Sequence, residues 1–168
     1  MTGRTNPSVT MPTHEKIVIG WKERVELPEW DVGWIIAKAD TGARTGAIDV
    51  SNVVELPGDR VRFDVVLDRT ANSDRERTRR TIETDIVRRS RVKSSFGASH
   101  DRLFVATTLH LGPVQKTVQL GLVSRKNMLC RMLLGRAALQ PEFIVDSSRR
   151  YAFGRHLKKQ RAKTKDKR

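Results

Sequence analysis

The sequence predicts a mainly β protein: a closed or partly closed β-barrel with one short helix near its C-terminal end, flanked by flexible tails. Three observations carry this. Between residues 15 and 153 the apolar residues recur with period two rather than 3.6. The apolar runs are short and rich in β-branched side chains. Turn signals separate them, the clearest being Gly112-Pro113.

The elements follow in chain order. Residues 1–14 mix Thr, Pro and Ser without periodicity and are expected to form a flexible leader. The domain proper is expected over 15–153. Residues 16–21 (KIVIGW), 34–39 (WIIAKA) and 61–67 (VRFDVVL) are strand candidates. Segment 69–93, which contains TANSDRERTRR, reads as an exposed loop running into a polar strand. Leu103, Val105, Thr107, Leu109 and Leu111 alternate with Phe104, Ala106, Thr108 and His110. Val114, Lys116, Val118, Leu120 and Leu122 alternate with Gln115, Thr117, Gln119 and Gly121, so the two runs form a hairpin about Gly112-Pro113. Residues 136–140, just after Gly135, have helix-favouring composition, and Pro141 stops them. Residues 154–168 are nearly free of apolar side chains and are expected to be a disordered basic tail.

A chain of 168 residues is the size of one domain. Its formal net charge of +14 points to a nucleic-acid or ribosome binder, or to an enzyme acting on acidic substrates. The charge is concentrated, however. Residues 155–168 carry a net +7 and residues 69–93 a net +5, which leaves the rest of the chain nearly neutral. Aromatic residues make up 5% and no aromatic-interleaved RNA motif is visible, which argues against base recognition. No apolar run reaches the roughly 18 residues of a membrane helix, so no membrane association is expected. The single cysteine, Cys130, excludes an internal disulfide framework and a multi-cysteine zinc site. No apolar signal region follows Met1, so a cytoplasmic location is expected.

Two motifs carry chemistry. Asp40-Thr41-Gly42-Ala43-Arg44-Thr45 directly follows an apolar strand. Asp-Thr-Gly is the active-site loop signature of aspartic proteases: Gly42 suits a tight turn, Thr41 suits a hydrogen bond within the loop, and Asp40 projects from a strand end. On its own the tripeptide also fits an ordinary turn with a capping Asp. Met132-Leu133-Leu134-Gly135-Arg136 follows about ninety residues later, just before the short helix. On its own this block also fits a buried strand and a helix start. Neither HExxH nor GxxxxGK[ST] occurs, and His14, His100, His110 and His156 lie apart in sequence, so no metal and no cofactor is expected.

Order, spacing and context together resemble a retropepsin, in which the second block runs beneath the catalytic loop. The chain is similar to the bacterial retropepsin-like family labelled ATP-dependent zinc protease, whose members are associated with ATP-grasp glutamate ligases. The resemblance runs from Ile19-Gly20-Trp21 through the Asp40 and Met132 blocks, Val92-Lys93-Ser94-Ser95 and Thr107-Thr108-Leu109-His110-Leu111-Gly112 to Phe143-Ile144-Val145-Asp146. The family usually has Ser and His where this chain has Gly46 and Asp49, which counts against a metal role there.

The resemblance implies a retropepsin-like barrel and an aspartic-type endopeptidase. Asp40, Thr41 and Gly42 would form the catalytic loop, with Leu134, Gly135 and Arg136 structural beside it. Aspartic proteolysis needs two carboxyls sharing a proton, one activating water and one protonating the scissile carbonyl. Asp-Thr-Gly occurs once here, so a C2 homodimer with paired Asp40 is expected. Ser94, Ser95 and Gly97 fit a mobile flap over the substrate, and equally a plain Gly-Ser turn. Ala43 and Arg44 are the remaining candidates for substrate contact. Arg44 fits either a grip on an acidic side chain or a structural ion pair, and Arg136 fits a loop-bracing ion pair better than a substrate contact. The implied substrate is an acidic or glutamylated peptide, and the implied pathway partner is an ATP-grasp ligase. The alternative from a different class is a basic nucleic-acid or ribosome-associated binding protein without catalysis, making non-specific contact through the tail.

Overall fold

Alternating apolar residues need a second surface to cover them, and here the strands supply it to one another by closing into rings. The computed structural model describes residues 15–67, 79–93, 99–124 and 130–153. The expected leader and basic tail lie outside the described residues, as do Ser94, Ser95, Gly97 and most of the loop expected at the start of segment 69–93. In chain order the strands are β1 (Ile17–Gly20), β2 (Lys22–Leu27), β3 (Val32–Ala39), β4 (Gly46–Leu56) and β5 (Arg60–Val66). They continue with β6 (Arg79–Lys93), β7 (Ser99–Leu111), β8 (Val114–Val123), β9 (Met132–Leu134) and β10 (Phe143–Asp146). One helix, α1, spans Arg136–Leu139, and Pro28–Trp30 forms a 3-10 turn. No helix among the described residues is long and apolar enough to cross a membrane.

Strands β2, β3, β9, β4, β8 and β7 are hydrogen-bonded in a cycle, which the pair Glu26↔His110 closes between β2 and β7. A second cycle runs through β4, β5, β6, β7 and β8. The closed or partly closed β architecture expected from the sequence is thus present as rings of pairings. Inside them lie fully buried Leu27, Ile35, Ile48, Phe63, Leu109, Leu120 and Met132. Trp30 meets the Phe63 ring edge-on at 5.5 Å, a favoured aromatic geometry. Strands β1 and β10 form a separate parallel pair.

The β7–β8 hairpin forms as expected, with Gly112 at φ 59 in its turn. The helix falls within the predicted 136–140, and the polar strand predicted in 69–93 is β6. Three differences stand out. The strand expected over 16–21 is present as β1, and β2, which the alternation rule did not single out, follows it after a break at Trp21, whose N–H donates to the Arg149 carbonyl at 2.9 Å. The break is held by buried Glu23, whose Oε1 accepts from the N–H groups of Gly20 at 2.7 Å and Ala152 at 2.8 Å. The other two differences are β4 and β10, which the alternation rule did not single out.

Side chains stitch the outer ring. Asp64 on β5 accepts from Asn52 Nδ2 on β4 and from Thr81 Oγ1 on β6, each at 2.7 Å. Asn52 sits at φ 52, a left-handed conformation that Asn tolerates better than most residues. The hydrogen bonds from Thr81 and then Asn52 hold the Asp64 carboxyl below its ordinary value. A depressed folded-state value contributes stability above the unfolded value, and that contribution is lost as pH falls through the folded one. Asp64→Asn is therefore expected to flatten the acid limb of a stability–pH profile below the ordinary Asp range, as read by thermal melts in graded buffers.

Backbones also approach closely where β9 lies between β3 and β4. A Cβ on Gly135 would lie 2.6 Å from the Thr45 carbonyl carbon and 2.8 Å from the Arg44 oxygen, both backbone atoms that cannot swing aside. A Cβ on Gly46 would lie 2.6 Å from the Leu133 oxygen. Gly135→Ala is expected to destabilise the fold by about 1–3 kcal/mol, seen as a lower denaturant midpoint at unchanged slope.

Candidate active site

Asp40 is placed by backbone. Strand β9 runs parallel to β3 with Ala39 opposite Leu134, so the Asp40 N–H donates to the Leu134 carbonyl at 2.9 Å. The carboxylate then folds back on its own loop: Oδ1 accepts from the N–H groups of Gly42 and Ala43, each at 3.2 Å. This is an Asx-type turn, in which the side chain does the work of a backbone carbonyl. It was Thr41 that the sequence suggested for fixing the carboxylate, whereas the observed donors are main-chain groups. Asp40 is half-buried, and Thr41 and Gly42 are exposed.

The Met132 block grips this loop from the other side. The N–H groups of Arg136 and Ala137 donate to the carbonyls of Ala43 and Arg44, each at 2.9 Å. The Arg136 guanidinium donates through Nη1 to the carbonyls of Thr41 and Gly42, each again at 2.9 Å. Arg136 thus contacts the loop through backbone carbonyls, where the sequence suggested an ion pair. Leu134 is buried beneath. The two motifs, about ninety residues apart in sequence, form one hydrogen-bonded unit.

Gly42 differs from the reading that its own turn demands glycine. A Cβ there would meet Asp40 Oδ1 at 3.4 Å, an ordinary contact, so nothing among the described residues crowds it. Ala43 is half-buried. Arg44 is exposed and lines a cleft of about 500 Å³ beside the loop. The flap candidates Ser94, Ser95 and Gly97 lie outside the described residues.

Sequence reasoning missed one charged pair near the site. Buried Asp49 on β4 is ion-paired with Arg131, and its N–H donates to the Arg131 carbonyl at 2.7 Å. The partners are 82 residues apart, so no local signal joins them. A family label that mentions zinc raises the question of a metal at this position. The donor set does not fit one: the Asp49 carboxylate is engaged by a guanidinium. No group of three or more His, Cys, Asp or Glu side chains converges among the described residues.

Comparison with known proteins agrees with this geometry. A family model described as RimB-like, retropepsin-like aspartic endopeptidase RimB, matches residues 18–156. Curated relatives include a probable alpha-L-glutamate ligase of Shewanella pealeana, 34% identical over 142 residues, and one of Desulfotalea psychrophila, 32% identical. Each match takes in 83% of this chain, which spans only 30% of the relative's length. Among solved structures, a Legionella pneumophila protein of unknown function is 25% identical with a TM-score of 0.65. That match covers 82% of this chain and 98% of the other. With the Asp40 loop locked to the Met132 block and the family model spanning nearly all the described residues, this chain belongs to the RimB-like family of retropepsin-like proteins.

Proposed function

We propose that the chain is an aspartic-type peptidase acting as a C2 homodimer, in which Asp40 and its symmetry mate activate a water. The supporting observation is the lock on the Asp40 loop: main-chain hydrogen bonds on both sides hold a half-exposed carboxylate at a rigid strand end. A rigid carboxylate suits catalysis by positioning, because little reorganisation is needed when the reaction begins. One chain supplies one Asp-Thr-Gly, so the second carboxyl comes from a second copy. Close approach of that copy would give exposed Gly42 a steric role that no described residue of its own chain supplies.

Two carboxyls within hydrogen-bonding distance hold one proton between them. The ionised one takes a proton from water as it attacks the scissile carbonyl, and the protonated one donates to the carbonyl oxygen. Ser94, Ser95 and Gly97 are assigned to substrate contact. In support, paired Lys93 and Ser99 of the β6–β7 hairpin bound their segment. Ala43 and Arg44 are assigned to substrate contact, and the substrate is an acidic or glutamylated peptide. The ligase name belongs to relatives of which this chain matches less than a third, so we assign the chain to the ligase's pathway as a processing partner rather than to ligation.

The nucleic-acid alternative gains little from β6. Its described arginines are largely engaged: Arg80 with Asp31, Arg89 with Glu55 and Asp59, and Arg91 with Asp101. Asp59 and then Glu55 raise the Arg89 value further.

Asp40→Asn is expected to lower the hydrolysis rate of a glutamyl-rich peptide by at least about 10²-fold, by chromatographic product assay, while light scattering still shows a dimer. Undiminished cleavage by that variant would overturn the assignment. Wild-type activity is expected to survive exhaustive EDTA treatment, and a loss restored by zinc would replace the aspartic mechanism with a metal-dependent one.

A further inference from the structure

The cleft beside the catalytic loop is lined by Arg44 and Thr45 of the loop, Arg88 of β6, Thr117, Val118 and Gln119 of β8, and the start of α1. Its volume of about 500 Å³ is within the range of ligand pockets. Two arginines line it, and among the described residues no acidic residue does. Among the described residues no carboxylate pairs with Arg44 or Arg88, although Arg80, Arg89 and Arg91 of the same strand each have an acidic partner.

Arg88 is also positioned. The β6–β7 ladder shifts register between Ile86 and Arg88, leaving Val87 as the extra residue and setting Arg88 opposite Phe104. Bulges re-aim side chains in this way and are frequent beside active sites. The guanidinium carbon lies 3.5 Å from the centroid of the buried Phe104 ring. Stacking on an aromatic face leaves the in-plane N–H donors of a guanidinium available and reduces its freedom before a ligand arrives.

We infer that Arg88, together with Arg44, forms a preorganised site for two carboxylates of the substrate, making Arg88 a specificity-determining residue for acidic side chains flanking the scissile bond. This rests on the peptidase reading, whose substrate chemistry it sharpens. The ligand class follows from the walls. Planar guanidinium groups match carboxylates bidentately, and Thr117 and Gln119 add uncharged polar groups. Among the described residues no aromatic side chain lines the cleft, and Phe104 already carries Arg88 on its face, so base stacking has no platform there.

The test has a binding arm and a turnover arm. In the first, full-length Asp40→Asn protein is titrated with tetraglutamate and with tetraglutamine by calorimetry. Tetraglutamate is expected to bind at least about tenfold tighter, with that preference lost in the added variant Arg88→Gln. Arg88→Lys restores it only in part, because a point charge replaces a fork. A thermal melt within a few degrees of the parent excludes misfolding. In the second arm, kcat/KM is measured on peptides that differ by Glu or Gln at single flanking positions. Arg88→Gln is expected to remove the Glu preference at one position, bringing kcat/KM for the Glu peptide down to that of its Gln counterpart. Equal binding of the two tetrapeptides, a preference unchanged by Arg88→Gln, or tighter binding of a phosphoserine peptide than of its Glu counterpart would overturn the inference. Selective binding without any cleavage in the wild type would instead overturn the peptidase reading and leave the anion site standing.

Discussion

The structure depends on one short crossing, where β9 and the first turn of α1 meet the Asp40 loop. Five hydrogen bonds to Leu134, Arg136 and Ala137 tie this stretch to residues 40–44. The same β9 is hydrogen-bonded to β3 on one side and β4 on the other, so the crossing also completes the inner ring. Placement of the carboxylate and closure of the fold are therefore one constraint. The absence of a Cβ at Gly135 permits both, because any side chain there would meet main-chain atoms of Arg44 and Thr45.

Charge is distributed according to this arrangement. Arg136 is turned inward onto carbonyls, Arg131 is consumed by buried Asp49, and most arginines of β6 face acidic neighbours. The strongly basic composition thus says little about the surface near the site. What distinguishes the cleft is the pairing state of its arginines rather than their number.

Much of the site was legible because its motifs are local. Asp40-Thr41-Gly42 and Leu134-Gly135-Arg136 are contiguous, and their meeting follows from their order. The hairpin over 103–122 was legible because one of its faces is buried along most of its length. Strand β4 was not: Ile48, Asp49 and Val50 are buried in succession, and the outer half from Asn52 is exposed, so no period-two pattern survives. The buried Asp49 in that run has its charged partner, Arg131, 82 residues away. Glu23 was hidden for a similar reason, since one of its two backbone partners, Ala152, is 129 residues away. The role of Gly42 was read as a property of its own turn, whereas a Cβ there would meet only Asp40 Oδ1, at 3.4 Å, among the described residues.

The parallel pair of β1 and β10 joins Ile17 to Phe143 and Gly20 to Asp146, and Glu23 adds a bond to Ala152. Contacts so distant along the chain form late, because a long loop must close before they return any stability. During synthesis the N-terminal strand has to wait, unpaired, until nearly the whole domain has left the ribosome. Val18 and Ile144, apolar and about half exposed even when paired, make that interval the one in which the chain is most open to association with other chains.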